Sequence, residues 1–119
     1  MSEYKLGVVE AKFAEIIWKN EPVSSSELAM IALAELNWKK STTYTVLKRL
    51  CDRGIFVNNN GTVSSLISKK DFYALQSEEV VNDSFSGSLP AFVAAFSSRK
   101  KLSEDEINQL QSMIDSMRR

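Results

Sequence analysis

Between Trp38 and Ser68 the hydrophobic period changes once, and that change restricts the fold more than any other feature of the chain. In WKKSTTYTVLKRLCDRG, residues 38–54, Thr43, Val46, Leu47 and Leu50 recur at helical spacing, and Gly54 stands where a helix-ending C′ residue is expected. Ser41 or Thr42 is placed to cap the start of that helix. IFVNNNGTVSSLIS follows without a linker: a β-rich run, an Asn60-Gly61 turn signal and a second alternating run, which together read as a hairpin. A helix that feeds straight into a hairpin has to share a core with it.

Two further helical segments precede this unit. LGVVEAKFAEIIWKNEP places Val9, Phe13, Ile16 and Ile17 at helical spacing and is closed by Pro22. VSSSELAMIALAELNW opens with Ser24-x-x-Glu27, a capping box, carries Leu28, Ile31, Ala32 and Leu36, and stops near Asn37, a residue tolerant of the left-handed turn conformation. Three short helices and then a hairpin is the order of a winged helix-turn-helix module, expected over residues 1–68.

From residue 69 to 119 the signals are helical. KKDFYALQSEEVVNDSFSG carries Phe72, Leu75, Val80 and Phe85, and SLPAFVAAFSSRK adds a shorter helix with Pro90 in its first turn. LSEDEINQLQSMIDSMRR opens with a second capping box, Ser103-x-x-Glu106, and puts Ile107, Leu110, Met113, Ile114 and Met117 on one stripe. Short amphipathic helices draw most of their stability from packing against something else. The expected cover is a second copy of the chain, with Phe72, Leu75, Phe85, Leu89, Phe92, Phe96, Ile107, Leu110 and Ile114 as dimer contacts; folding back onto the winged helix in a monomer is the alternative. The expected fold class is therefore mostly α with a small β-hairpin: a winged helix-turn-helix followed by a C-terminal helical dimerisation region.

The charge is unevenly placed. Lys+Arg and Asp+Glu both number 15, so the net charge is zero. Residues 1–70 hold ten basic against seven acidic side chains, a balance of +3, and the remainder holds five against eight, a balance of −3. Lys39, Lys40, Lys48, Arg49 and Arg53 face only Asp52 within the third helix and its flanks. Local charge of this kind is what phosphate binding depends on. A solvated helix face of a protein-binding winged helix could carry the same charge.

Absent residue types exclude other functions. Without histidine the chain lacks the commonest general base and metal ligand, so no enzyme, cofactor or metal site is expected. Cys51 alone forms neither an intrachain disulfide nor a multi-cysteine metal site, and its spacing from Leu47 and Leu50 points to partial burial. No apolar run approaches the roughly 18 residues of a membrane span, and MSEYKLGVVEAK has no hydrophobic signal-peptide centre, so a cytoplasmic location is expected.

These residues also resemble a known family. Leu6, Glu10, Phe13 and Ile16-Ile17-Trp18, followed by Trp38-x3-Thr42-x2-Thr45-x-Leu47-x-Arg49-Leu50-x3-Gly54, are similar to the penicillinase repressor (BlaI/MecI) family of winged-helix repressors, which includes the CopY-type copper-responsive members. Leu66-Ile67-Ser68, Phe85-Ser-Gly-Ser-Leu89, Phe96 and Leu102 to Leu110 extend the resemblance over nearly the whole chain. It implies a homodimer that blocks transcription by binding inverted-repeat operators in double-stranded DNA, with the third helix in the major groove. By the same pattern Ser41, Thr42, Tyr44, Thr45 and Lys48 are expected to touch bases or phosphates. Lys39, Lys40 and Arg49 are backbone-facing candidates, Arg49 alternatively being a helix-to-helix salt bridge. Asn59 and Asn60 at the uncharged hairpin tip are expected to hydrogen-bond the DNA backbone.

Two departures stand out. The copper-responsive members carry a C-terminal cysteine cluster, and no cysteine follows Lys70, so metal sensing by that route is ruled out. The β-lactam-responsive members are cut by a signalling protease at an Asn-Phe bond in the dimerisation region. The matching pair here is Ala95-Phe96, which keeps the register but replaces the Asn; simple helix packing of Phe92 and Phe96 at i, i+4 is the other reading.

Overall fold

The computed structural model describes residues 4–119, so the first three residues of MSEYKLGVVEAK lie outside the described residues. Helix α1 spans Val8–Asn20 and starts where the Gly7 N–H donates to a Glu10 carboxylate oxygen at 3.2 Å. Phe13, Ala14, Ile16 and Ile17 form its buried face. Val9, expected on that face, is about half exposed, because it precedes the point at which the helix meets the core. Helix α2, Ser25–Leu36, is capped by the Ser24 hydroxyl, which accepts from the Glu27 N–H at 3.1 Å. Only this half of the expected capping box is formed among the described residues. Asn37 ends α2 in the left-handed region, with φ 56°.

Helix α3 runs Lys40–Asp52. Its start corrects the expected cap: Lys39 occupies the N-cap position without a side-chain hydrogen bond, and Ser41 and Thr42 lie inside the first turn. The reason is the short connection, since Asn37 turns the chain and leaves only Trp38 and Lys39 before the helix begins. Thr43, Val46, Leu47 and Leu50 are buried as expected, and Gly54 follows at φ 79°.

The hairpin consists of β2, Phe56–Asn59, and β3, Thr62–Ser65, joined by Asn60 and Gly61 at φ 51° and 92°. Positive φ at both central residues is the turn whose twist matches that of the flanking strands. The Asn58 carboxamide oxygen accepts from the Gly61 N–H at 2.9 Å and closes the tip. The expected two-stranded hairpin is in fact part of a three-stranded antiparallel sheet of order β1-β3-β2, because Val23 and Ser24, forming β1, pair with Val63 and Thr62. Glu21 accepts from both the N–H and the hydroxyl of Ser65, at 2.8 and 2.7 Å, which ties the start of β1 to the end of β3.

Helix α4, Lys69–Phe85, changes the expected division of the chain. Phe72 was expected at a dimer interface, but it is fully buried in the same core as Phe13, Ile17, Leu50 and Phe56. It packs within ring-to-ring distances of 5.4–5.8 Å of Tyr4, Trp18 and Tyr73. Trp18 donates its indole N–H to the Ile67 carbonyl at 3.0 Å, so the residues just before α4 are held against α1. A ring this buried cannot also meet a second chain. The first compact unit accordingly ends at Glu79, beyond the expected boundary at residue 68, and the second covers Val80–Arg119.

In the second unit, α5 spans Leu89–Arg99 and α6 spans Glu104–Met117. Ser88 caps α5 through the Ala91 N–H. Ser103 and Glu106 form the full reciprocal capping box of α6, and these bonds hold the Glu106 carboxyl below the usual carboxylate range. Neither helix has a buried residue.

Two substitutions probe the first core. Phe72→Ala should destabilise the winged-helix unit by about 3–5 kcal/mol in urea denaturation, the usual result of deleting a buried ring. Thr43→Val should leave stability unchanged or raise it by about 1 kcal/mol, since the Thr43 hydroxyl is buried with no hydrogen-bond partner among the described residues.

Candidate nucleic-acid interface

With Thr43, Val46, Leu47 and Leu50 packed inward, helical geometry turns Ser41, Thr45, Lys48 and Asp52 to the opposite side of α3, all of them exposed. Thr42 and Arg49 flank this stripe on one side and Lys40 and Tyr44 on the other; Tyr44 is half-buried. Seven of the ten residues expected to contact DNA thus share the outer surface of one helix, and Lys39 sits at its N-cap. Asn59 and Asn60 belong to the separate hairpin tip, where both are exposed.

The side chains of α3 are largely engaged with one another. The Thr45 hydroxyl donates to the Ser41 carbonyl at 2.9 Å. The Lys40 ammonium lies 5.8 Å from the centre of the Tyr44 ring, within range of a cation–π contact. Lys48 pairs with Asp52 at 2.9 Å, and both side chains remain about two-thirds exposed or more. Arg49 reaches Glu10 of α1 at 3.5 Å, the salt bridge foreseen as its alternative role. Arg53 donates to the Lys5 carbonyl at 2.9 Å. Lys39 and Lys40 make no ion pair with a carboxylate among the described residues, so positive charge is least compensated at the N-terminal end of α3.

Asp52 is visible in the sequence as the one acid of this segment, whereas Glu10, the partner of Arg49, is not. The i, i+4 spacing of Lys48 and Asp52 was visible, but Glu10 and Arg49 lie 39 positions apart and meet only in the fold. Cys51 is half-buried, and burial pushes its thiol upward, with the Asp52 charge acting in the same direction; it therefore stays protonated and a poor nucleophile.

Elsewhere in the first unit, Lys69 pairs with Glu15 at 2.8 Å and the Tyr73 hydroxyl donates to the same carboxylate at 3.4 Å. Lys69 and Glu15 border an open groove of about 750 Å³ lined by Ile16, Trp18, Ile31 and Leu36, on surfaces other than α3. The second unit has a smaller groove of about 330 Å³ between α5 and α6, lined by Phe92, Val93, Phe96, Leu110 and Met113. Ala95 and Phe96, the pair in register with a cleavage site, lie within α5, and Phe96 is exposed while its ring stands 6.4 Å from that of Phe92. Among the described residues no three His, Cys, Asp or Glu side chains gather as metal ligands, and no helix is long and apolar enough to cross a membrane.

Sequence comparison covers the segments that form α1 to α6. The penicillinase repressor family profile fits residues 6–116. The chain belongs to the penicillinase repressor family. It is 23% identical to the methicillin resistance regulatory protein MecI of Staphylococcus aureus (strain Mu50 / ATCC 700699), over 94% of either chain. It is 26% identical to the penicillinase repressor of Bacillus licheniformis, over 89% of this chain and 86% of that one. A third relative, MecI of Mammaliicoccus sciuri, is 22% identical over 94% of each. In this family member the α3 surface is the concentration of basic and hydroxyl side chains that the fold leaves uncovered.

The two roles of Arg49 can be separated by a double-mutant cycle with Glu10→Gln and Arg49→Gln, read by urea denaturation. With Arg49 57% exposed and the contact at 3.5 Å, the coupling should be below about 1 kcal/mol; several kcal/mol would make Arg49 a structural anchor instead.

Proposed function

We propose that this protein is a homodimeric transcriptional repressor that binds an inverted-repeat operator, each copy placing α3 in a major groove. The observation that carries the reading is the outer surface of α3. Four residues of that helix are buried, and what they leave outward is a hydroxyl-rich first turn followed by Tyr44, Thr45 and Lys48. Hydroxyls and backbone N–H groups near a helix N-terminus suit phosphate and base-edge contacts, and the uncompensated charge of Lys39 and Lys40 lies at that same end. Arg49 and the Asn59-Asn60 tip add backbone contacts. The tip itself carries no charge, so its contribution is hydrogen bonding.

The second unit supports the dimer part of this reading. Leu89, Phe96, Ile107, Leu110, Met113 and Ile114 are each 40–58% exposed in a single chain, and such apolar exposure at helical spacing is what a second copy covers. Phe85 and Phe92 are half-buried and in edge contact at 5.5 Å, and Phe92 lines the groove beside Phe96. Leu75 is half-buried in the first unit. A cytoplasmic repressor of antibiotic-resistance or stress genes fits the relatives' names, penicillinase repressor and methicillin resistance regulatory protein. A signalling protease as a further partner rests on the register of Phe96 alone. Because the Ala95-Phe96 bond is inside α5, cleavage there requires that helix to open first.

A winged helix that contacts protein through α3 is the competing reading, and a gel shift with the DNA upstream of the gene at low salt separates the two. The repressor reading expects a discrete complex; no binding to any upstream site counts decisively against it. Given binding, Thr42→Ala or Lys48→Ala should cost about 1–3 kcal/mol in operator affinity while the helical circular dichroism is retained. For the dimer, a charge at Leu110 or Ile114 should convert a sedimenting dimer to monomer at micromolar concentration; a wild-type protein already monomeric there would defeat the assignment.

A further inference from the structure

Asp52 is the only acidic residue of α3, and its position is unfavourable for the helix itself. It occupies the last helical position, where the macrodipole opposes a negative charge. Its ion pair with Lys48 runs in the less favourable direction, with the cation N-terminal to the anion at i, i+4. Both partners are well exposed, and such pairs contribute little to folding. Yet Asp52 lies on the same outward stripe as Ser41, Thr45 and Lys48, directly beside the ammonium group that the repressor reading sends to DNA.

Resting on that reading, we propose that Asp52 is a specificity-determining residue, which acts through Lys48 by biasing it away from phosphate and toward base edges. An ammonium group has three N–H donors, so Lys48 can keep its bond to Asp52 and still donate to a neutral acceptor such as guanine O6 or N7. A phosphate oxygen is anionic. To neutralise one, Lys48 has to share its charge between two anions, and the Asp52 carboxylate is left within the field of the DNA backbone. The penalty therefore falls on docking at random sequence, where phosphate contacts supply nearly all the affinity. At an operator, where a base edge accepts from Lys48, the carboxylate remains paired. The same geometry gives Asp52 a positioning role, since the contact at 2.9 Å holds the Lys48 side chain along the helix surface toward the C-terminal end of α3.

The test compares wild type, Asp52→Asn, Lys48→Ala and the double variant by fluorescence anisotropy. The probes are an operator duplex and a scrambled duplex of equal length and composition, each titrated over a series of salt concentrations. Asp52→Asn should tighten binding to the scrambled duplex by roughly five- to tenfold per α3 engaged near ~0.1 M salt, and steepen the slope of log K against log salt by about one, as one added phosphate contact does. Operator binding should change by less, so the ratio of operator to scrambled affinity falls. In the Lys48→Ala background the same substitution should leave the slope nearly unchanged. Equal tightening on both duplexes overturns the inference, as does the same steepening without Lys48, which would make Asp52 a diffuse charge. Wild-type protein that does not prefer operator to scrambled DNA overturns the repressor reading, and the inference falls with it. Thermal melting keeps these outcomes separate from unfolding, because removing a charge that opposes the macrodipole should leave the midpoint unchanged or higher.

Discussion

The packing of α3 against its neighbours is the constraint from which the rest of the first unit follows. Thr43, Val46, Leu47 and Leu50 go inward together with Phe13, Ile17, Leu28 and Phe56, and this fixes the rotation of α3 about its own axis. A helix rotated by a single residue, about 100°, would carry the Ser41–Thr45–Lys48 stripe well around toward its flank. The chemistry of the outward face is therefore set by the residues buried on the opposite side. Thr43 goes inward with them although its hydroxyl has no hydrogen-bond partner among the described residues.

The aromatic group around Trp18 extends the same core into the C-terminal half of the sequence. Trp18 lies 5.3–5.9 Å from the rings of Phe56, Phe72 and Tyr73, joining α1, β2 and the first turn of α4. Glu15 adds a polar fastening through Lys69 and Tyr73. Burial and the nearby Glu15 charge push the Tyr73 hydroxyl upward, so it remains a protonated donor to that carboxylate at neutral pH. The start of α4 is thus structurally part of the winged helix, which is why Phe72 belongs with residues far upstream of it.

Local signals carried most of what could be read without a structure. The burial of Val46, Leu47 and Leu50, the left-handed Asn37, the Asn60-Gly61 turn and the Ser103–Glu106 cap each depend on residues within one or two turns of one another. The failures share the opposite property. β1 is two residues long, too short to show alternation, and exists only because β3 offers it an edge. Phe72 has the same helical spacing whether its partner is a second chain or Trp18, so periodicity could not assign it. Ser and Thr preference alone points past the true α3 cap, because the two-residue connection from Asn37 sets where the helix starts. At the site, residue identity located the outward face, but the ion pairs that modulate its charge were legible only where both partners share a helix.

The lack of any buried residue in α5 and α6 has a consequence for how the protein is used. Their ends are defined by serine caps, which set where each helix begins, but little apolar surface is hidden to hold the helices in place. With the second copy proposed above as the cover, the stability of this unit becomes a matter of mass action and rises with the number of chains available. Two coupled α3 surfaces then appear only above a threshold concentration, so occupancy of a two-fold site would respond to protein level more steeply than a single module could.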